Sequence, residues 1–584
     1  MRAAADAGER FRFGVFEFDS RTGELRKYGV RIALQEKPGQ VLRALLDRPG
    51  ELVTREELCA NLWSGATFVD FDHSINIAVS KIRQALGDSG ANPRFIETVS
   101  RHGYRFLAPV RDAAAPDSPQ KTMLAVMPFV NLSGDPEENY FSDGLTEEII
   151  TQLGRLDPKR LGVIARMTAM HYKTDTRRAE AIGKELAVDY ILEGSIRRSA
   201  DRVRITAQLI QVSDETHLWA ETYDRKRADI LDIQRNVTRR IARCLAVELL
   251  PEQRAILSRG ATRNTAAHEA YLKGRYFWSR RTEDSFAKAL AYFEQAIHED
   301  PACALAYAGL ADAYDTLGLF SAVPAAIARR RSTEAAMRAL EIDPGLAEAH
   351  TALAYSKALY DWDWSGSERE FRAAIDLNAN YVTAHQWYGH LLAMTGRFSE
   401  ALARIDNALG LDPLSLVAAS HKGWILYFAH RFEEAAQVLR RTLEMDANFG
   451  LGIYFLALTE LAAGRPEEAI RIFESALRVS PDHPSVLSGL GQAHAAIGRN
   501  AEARGYLAKL EALGRERHVT PYFSACVHIR LGEFDRAMEL LEKAFQERCP
   551  WMAYLNVEPA VDRLRPRLQA LLRRVGFSSS ATAP

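Results

Sequence analysis

The clearest hydrophobic pattern in the chain lies in residues 71–86 and predicts an amphipathic α-helix. Ile75, Val79, Ile82 and Leu86 recur at a spacing that puts them on one side of such a helix. Polar side chains occupy the rest of its surface. Two short apolar stretches follow, over residues 95–100 and 104–107, and they predict the strands of a β-hairpin. Arg101 lies at the tip of this hairpin.

The pattern ahead of this helix predicts a small sheet and two more helices. Residues 11–34 are rich in aromatic and β-branched side chains, which is typical of antiparallel strands. Pro38 stands where a first helical turn begins, and apolar positions continue to residue 46. A second helix begins after Thr54, which forms a capping box with Glu57.

This order of elements resembles a known DNA-binding fold. The segments that carry the resemblance are residues 49–58, 79–83 and 98–106. Together with the predicted sheet, they resemble the winged-helix domain of the OmpR/PhoB response regulators and the ToxR/CadC regulators over residues 11–110. The resemblance implies that the helix over 72–86 enters a major groove of duplex DNA and that the hairpin, or wing, enters the adjacent minor groove.

The resemblance and the polar helix face together give ten candidate DNA-binding residues. The family pattern implies base contact by Lys81, phosphate contact by Arg83 and wing contacts by Thr98, Arg101 and Tyr104. The other candidates come from the polar and flanking surface of the helix and are His73, Ser74, Asn76, Ser80 and Gln84. The chain departs from the family pattern at the wing tip. Ser100 stands where a basic residue is usual, so either position could enter the groove.

The distribution of charge favours DNA binding over a merely solvated helix face. Residues 73–105 hold five basic side chains and two acidic ones, whereas residues 1–72 hold eleven basic and twelve acidic. Positive charge is therefore concentrated where phosphates would lie. The net charge of the whole chain is −1, so any contact with a polyanion has to be local.

Length and composition predict a multidomain cytoplasmic protein. A chain of 584 residues exceeds the size of one domain. The five cysteines lack metal-type spacing, which indicates core residues in a reducing compartment. We find no signal peptide and no apolar run long enough to cross a bilayer, and predict no membrane partner. Residues 1–10 and 578–584 are predicted to be disordered, and 111–121 to form a linker.

Residues 122–250 predict a small α/β domain. Apolar strands over 123–130, 161–165 and 190–196 alternate with helices, and the cleanly alternating segment 203–212 precedes a last strand at 216–223. The phrases at 125–134, 191–195 and 217–223 resemble the domain at the N-terminus of TolB-like proteins.

Two clusters of charged residues in this domain leave alternatives open. The acids around residues 135–148 could hold a metal ion, but they also complement the dipole of the helix that they precede. Arg197, Arg198, Arg202 and Arg204 could bind an anion or simply flank a solvated turn.

From residue 265 to residue 577 the chain repeats. Gly396, His430, Gly464, Gly498 and Gly532 recur every 34 residues, and so do Ala401, Ala435, Ala469, Ala503 and Ala537. A third set at the same interval is Gly389, Gly423, Ala457, Gly491 and Ala525. This is the tetratricopeptide (TPR) pattern, and we predict about eight units and a capping helix over 557–577.

A superhelix of such units has a concave groove that typically holds a peptide or partner domain. The aromatic residues Trp362, Trp364, Trp387, Tyr388, Trp424 and Tyr427 could line that groove or pack between helices.

The predicted fold class is thus a winged helix-turn-helix, then a small α/β domain, then an all-α TPR superhelix. We find no catalytic motif of the phosphate-binding, dinucleotide, zinc-protease or serine-hydrolase types, and predict a non-enzyme without cofactors. The leading hypothesis is a transcription regulator that binds duplex DNA and holds a protein or peptide partner in the TPR groove. A dimer on DNA is compatible with this hypothesis. The alternatives are a scaffold whose winged helix makes protein contacts, and an enzyme hidden in residues 121–250.

Overall fold

The computed structural model divides into two compact units, residues 1–120 and 121–584, each described here by itself. The residues that it describes are 10–13, 16–20, 22–27, 30–32, 34–62, 71–86, 88, 93, 95–99, 102–108, 110–112, 121–135, 138–158, 160–173, 175, 177–199, 202–213, 215–226, 233, 236–241, 262, 264–280, 283–319 and 323–577.

The first unit combines two antiparallel sheets with three helices. Its strands are β1 (Arg10–Phe13), β2 (Phe16–Asp19), β3 (Glu24–Lys27), β4 (Val30–Ile32), β5 (Leu52–Thr54), β6 (Ile96–Val99), β7 (Gly103–Phe106) and β8 (Arg111–Asp112). Its helices are α1 (Glu36–Leu46), α2 (Arg55–Leu62) and α3 (Phe71–Leu86). The sheets have the orders β4-β3-β2-β1-β8 and β5-β7-β6. The winged-helix prediction is confirmed.

Aromatic side chains join the two sheets of this unit in one core. Phe13 of β1 meets Phe106 of β7 edge to face, with ring centroids 5.0 Å apart. Phe16 meets Phe95 in the same way at 5.5 Å. These rings are almost completely buried, and edge-to-face pairs of this kind stabilise a core beyond the area that they bury.

The second unit begins with a six-stranded mixed sheet. Its strands are β9 (Thr122–Val126), β10 (Val130–Asn131), β11 (Leu161–Val163), β12 (Tyr190–Ser199), β13 (Arg202–Gln211) and β14 (His217–Lys226). The order is β11-β9-β12-β13-β14, with β10 beside β12. The helices here are α4 (Asn139–Leu156), α5 (Arg166–His171) and α6 (Ala179–Glu185), and residues 236–241 are also helical. The predicted α/β order is confirmed.

Within the described residues from 265 to 546, eight helix pairs follow, as the 34-residue register predicts. The helices are α7 (Thr265–Trp278), α8 (Glu283–Glu299), α9 (Ala304–Leu319), α10 (Ala325–Ile342), α11 (Ala347–Ser356), α12 (Trp364–Leu377), α13 (Val382–Met394), α14 (Phe398–Leu411), α15 (Leu416–Phe428), α16 (Phe432–Met445), α17 (Gly450–Ala462), α18 (Pro466–Val479), α19 (Pro484–Ala496), α20 (Asn500–Glu516), α21 (Pro521–Leu531) and α22 (Phe534–Gln546). A π-helical turn, Lys357–Asp361, extends α11.

The repeating positions have the physical roles that their residue types suggest. The five residues between paired helices, Gly396, His430, Gly464, Gly498 and Gly532, all have positive φ, from 57° to 80°. This left-handed conformation ends the first helix of each pair. At Gly423, in the third set, a Cβ atom would lie 2.5 Å from the Leu439 side chain, so the small residue lets the paired helices approach.

The predicted capping helix over 557–577 is wrong in form. In that range the chain instead forms a 3₁₀ segment, Pro559–Arg567, and a short helix α23 (Gln569–Arg574). Another 3₁₀ segment, Pro550–Tyr554, lies just before it. Proline explains the difference, because Pro566 lies inside the segment Pro559–Arg567 and lacks the backbone N–H donor that an α-helix interior needs.

The α/β domain is docked on the repeats through their inter-repeat loops. Asn380, ahead of α13, donates from Nδ2 to the carbonyls of Gly154 at 2.9 Å and Leu161 at 2.8 Å. One repeat later, Asp412 accepts from the Thr168 amide at 2.7 Å. Burial raises the pKa of Asp412 to about 6. The Arg155–Glu348 ion pair, at 2.5 Å, joins the same surfaces. The α/β domain and the repeats are therefore one unit.

The two charged clusters noted in the sequence are engaged in ion pairs. Glu147 pairs with Arg166 at 3.1 Å and with Arg275 at 2.9 Å. Arg198 turns toward Glu138 and lies over the Phe141 ring, whereas Arg202 and Arg204 share Asp224. Among the residues that the structure describes, no helix is long and apolar enough to cross a membrane.

The left-handed position at residue 430 generates a stability prediction. A side chain with positive φ is strained, whereas glycine is not. We expect His430→Gly to raise the free energy of unfolding by about 0.5 kcal/mol and Gly464→Ala to lower it by about 1 kcal/mol. Urea unfolding followed by circular dichroism measures both. A lower stability for His430→Gly would contradict the assignment.

Asn380 provides a test of the docking between domain and repeats. Asn380→Ala leaves two buried carbonyl groups without a donor, and we expect a loss of about 2 kcal/mol in unfolding free energy. Asn448 occupies the same register position two repeats later and is exposed. Asn448→Ala is therefore the matched control and is expected to change stability by less than about 0.5 kcal/mol. Equal losses of stability in the two variants would contradict the role given to Asn380 in the interface.

Candidate DNA-binding surface

Helix α3 buries one face and exposes the other. Ile75, Val79, Ile82 and Leu86 are at most 4% exposed, and they pack in the core of the first unit. The opposite face carries Asn76, Ile77, Ser80, Lys81 and Gln84, all exposed. The predicted stripe is confirmed, and the exposed face presents amide, hydroxyl and ammonium groups of the kinds that read base edges.

The start of α2 forms the predicted capping box. The Thr54 amide donates to Glu57 Oε2 at 2.8 Å, and the Glu57 amide donates to Thr54 Oγ1 at 3.2 Å. The Thr54 amide is the main cause of a lowered pKa at Glu57. This reciprocal cap fixes the point at which the chain leaves β5 and enters the helix-turn-helix.

The wing is held against β5 by a close backbone approach at Gly103. A Cβ atom at this position would lie 2.1 Å from the Val53 carbonyl oxygen, which leaves no room for any other residue. Gly103 pairs with Thr54 on one side and Val99 on the other. This close approach fixes the position of β7 between β5 and β6.

Arg83 ties α3 to the wing. Its guanidinium donates from one nitrogen to the Ile96 carbonyl and to Thr98 Oγ1, both at 2.8 Å. Asp88, just beyond α3, accepts from the amides of Phe95 at 3.2 Å and Ile96 at 2.9 Å. These bonds fix the position of the first wing strand relative to the helix, so Arg83 has a positioning role whatever else it contacts.

A second network connects α2, α3 and the wing. Tyr104 donates from its hydroxyl to Asn76 Oδ1 at 2.6 Å, and Arg55 donates to the same oxygen and to the Tyr104 hydroxyl, each at 3.1 Å. The Arg55 guanidinium also lies over the Tyr104 ring, 5.3 Å from its centroid. The network orients Asn76 on the exposed helix face.

These contacts create a shallow open depression between α3 and the wing, with a volume of about 470 Å³. Asn76, Ser80, Arg83 and Gln84 line it from the helix, and Thr98 and Tyr104 line it from the wing. Six of the ten candidate residues therefore converge on one surface. Lys81 lies on the same exposed face and donates to Gln35 Oε1, and Ser74 is half-buried near its start.

Two candidates fall outside what the structure describes, namely the side chain of His73 and all of Arg101. Arg55 and Ile77 were not predicted from the sequence as parts of this surface. The side chain of Ile77 is 43% exposed on the polar face of α3. The sequence indicates this exposure, because Ile77 is apolar but does not share the spacing of the buried stripe.

Family models match the chain in three regions. Residues 29–106 match the model of the C-terminal domain of transcriptional regulatory proteins, and residues 120–240 match the second domain of HilA/YgeH-like transcriptional regulators. Residues 271–347, 389–448 and 460–519 match tetratricopeptide repeats. The chain thus joins a DNA-binding domain of transcriptional regulators, a domain of the HilA/YgeH-like kind and tetratricopeptide repeats. The resemblance of the middle domain to TolB-like proteins remains a prediction.

Curated relatives share parts of this composition. Transcriptional regulator HilA of Salmonella typhimurium is 24% identical over 421 residues, 71% of this chain and 73% of that protein. A Rhizobium meliloti protein named "Putative adenylate cyclase 3" is 35% identical over 296 residues, 49% of this chain. The chain spans only 43% of that protein's length. The HilA-type match extends beyond the winged helix into the second unit, because it covers more residues than the first unit contains.

Among solved structures, the chain is similar to the RstA DNA-binding domain of Klebsiella pneumoniae in complex with the RstA box. The identity is 28%, with 17% of this chain and 98% of that chain covered and a TM-score of 0.16. The DNA-binding domain of Escherichia coli CadC is 22% identical over 18% of this chain and 99% of that chain, with a TM-score of 0.16.

The positioning role of Arg83 can be tested by stability alone. Arg83→Lys keeps the charge but cannot place one group against both Ile96 and Thr98, so we expect a loss of about 1–2 kcal/mol in the unfolding free energy of residues 1–120. Arg43 is exposed and pairs only loosely with Asp47, at 3.9 Å. Arg43→Lys is thus the control, with an expected change below about 0.5 kcal/mol. Equal stability of the two variants would contradict the role given to Arg83.

Proposed function

We propose that this chain is a sequence-specific DNA-binding regulator of transcription, with its reader in residues 11–110. The observation that carries the proposal is the convergence of polar side chains from α3 and the wing on one exposed surface. The matches of residues 29–106 and 120–240 to domains of transcriptional regulators support it. In this proposal, α3 enters a major groove and the wing enters the adjacent minor groove.

The exposed residues of α3 divide into base-facing and phosphate-facing groups. Asn76, Ser80, Lys81 and Gln84 contact base edges or nearby phosphates, with His73 and Ser74 near the helix start. Arg83 holds the wing and adds a phosphate contact. Thr98, Arg101 and Tyr104 belong to the wing contact.

Ile77 adds an apolar group to this face. Its exposure amid donors suits contact with the methyl group of a thymine, the one apolar feature of the major groove.

The second unit supplies regulation rather than catalysis. We divide it into the α/β domain, residues 122–250, and the repeats, residues 265–577. The regions matched by family models belong to regulators and protein-interaction repeats, which supports a non-catalytic role in the cytoplasm. The two parts are docked through buried hydrogen bonds. A protein partner that binds either part therefore affects both. Dimerisation on repeated half-sites fits the proposed docking geometry.

A scaffold protein is the second candidate. In that case the winged helix makes protein contacts and the polar face of α3 has no DNA role. The surface of α3 distinguishes the two, because DNA binding depends on its charge and falls steeply with salt.

The proposal predicts the effect of charge reversal on α3. We expect Lys81→Glu in the full chain to weaken binding to its preferred duplex by roughly 100-fold, because it removes a cation and adds repulsion at the phosphates. Fluorescence anisotropy with labelled duplex at two salt concentrations measures the change.

We also expect Ile77→Ala to reduce, by about 10-fold, the preference for thymine over other bases at one position of the duplex, with nonspecific binding retained.

Arg43→Glu is the matched control, because it makes the same charge change at an exposed position of α1. It should change affinity by less than about threefold. Equal losses for Lys81→Glu and Arg43→Glu would show that only net charge matters. In that event, α3 is not the reading element.

A further inference from the structure

One side chain near the C-terminus contacts helices from distant repeats. The Trp551 indole Nε1 donates to the Leu319 carbonyl at the end of α9, at 3.1 Å. Its ring lies 5.9 Å from the Trp424 ring of α15. It also lies 5.9 Å from the Tyr522 ring and 5.7 Å from the Phe523 ring of α21. Trp551 therefore bridges the second, fifth and eighth helix pairs.

Such contacts are not expected in an open repeat array, because each unit of an open array touches only its neighbours. The helices that Trp551 contacts are the first members of their pairs, and the same holds for Tyr554. The Tyr554 ring lies 4.6 Å from Trp424 and 5.2 Å from Phe428, and its hydroxyl is 3.5 Å from Nδ1 of His390 in α13. The array is thus closed around residues 549–577, which here are called the C-terminal segment.

Polar and cationic contacts complete the docking of this segment. Tyr427 donates from its hydroxyl to the Glu558 carboxylate, and both groups are buried. Burial raises the pKa of Glu558. At the entry to the segment, the Arg548 guanidinium lies over the Trp362 ring at 4.3 Å and donates to the Tyr360 carbonyl at 3.3 Å. At its end, Phe577 stacks on Trp364 at 5.0 Å.

The aromatic residues that the sequence suggested for the groove thus have partners within the chain. Trp362, Trp364, Trp424 and Tyr427 contact the C-terminal segment or the helix just before it. Trp387 and Tyr388 instead stack on neighbouring helices, against Tyr355 and Phe371.

The segment is not a ninth repeat, although its buried side chains belong to the same hydrophobic core as those of the helix pairs. It has no helix pair, it departs from the 34-residue register, and its 3₁₀ segments begin at Pro550 and Pro559. Its central side chains, Trp551, Met552, Tyr554 and Leu555, are at most 5% exposed. Large aromatic anchors in closed pockets dominate the energetics of peptide recognition.

We propose that the inner surface of the repeat array is a peptide-binding site whose resident ligand is this chain's own C-terminal segment. The site recognises a proline-led aromatic peptide of the form Pro550-Trp551-Met552-Ala553-Tyr554, followed by the carboxylate of Glu558. A peptide from another protein reaches this surface only by displacing the segment. The inference does not depend on DNA binding.

The test separates the segment from the array after folding. A specific protease site is inserted between Glu547 and Arg548 in the full chain, and the cleaved protein is passed through a gel-filtration column. We expect the wild-type fragment to stay bound and a fragment with Trp551→Ala and Tyr554→Ala to separate. The matched control is Arg567→Ala, because Arg567 is half-exposed and pairs with the exposed Asp535. This control fragment should stay bound.

Synthetic peptide provides the second measurement. The array is first separated from its fragment with Trp551→Ala and Tyr554→Ala. It should then bind a synthetic peptide of residues 549–577 roughly 100-fold more tightly than the same peptide with both substitutions. Separation of the wild-type fragment from a still helical array would overturn the proposal. So would unfolding of the array on cleavage, because the segment would then be part of its core. Equal binding of both peptides would overturn it as well.

Discussion

The second unit is closed by one buried side chain, Trp551, whose hydrogen bond and ring contacts reach helices more than 200 residues apart in the chain. Small residues at fixed positions let each helix pair stack on the next, but stacking alone leaves an array open. Trp551, Tyr554 and Glu558 close it, because they give the first helices of separated pairs a common partner. The aromatic surface that a TPR array commonly offers to other proteins is therefore already covered in this chain.

The α/β domain docks on the repeats that the C-terminal segment closes. Two inter-repeat loops, at Asn380 and Asp412, reach its backbone, and a third loop in the same register, at Asn448, remains exposed. Docking of this kind requires successive repeats to keep a constant relative position. The chain thus combines a winged-helix reader with a single larger body. Under the proposed function, a partner acts on that body at its exposed surfaces or by displacing its C-terminal segment.

Local structure was predictable because its causes are local. The apolar stripe of α3, the capping box at Thr54 and the left-handed turn at His430 each follow from neighbouring residues. Contacts between Trp551 and Trp424 were not predictable, because they depend on the superhelical curvature summed over several repeats. The same holds for the DNA-binding surface. The pattern predicted which residues share the exposed face of α3, but not that Arg83 holds the wing or that Arg55 orients Asn76.

If the chain regulates transcription as proposed, its first unit binds a specific DNA sequence. The most direct measurement is selection from a random duplex library near physiological salt, in parallel with the full chain and with residues 1–120. We predict that both enrich the same half-site, repeated at about one helical turn. Enrichment of unrelated sequences by the two proteins would contradict the assignment of the reader. An absence of sequence preference in both would contradict the regulator itself and favour a scaffold.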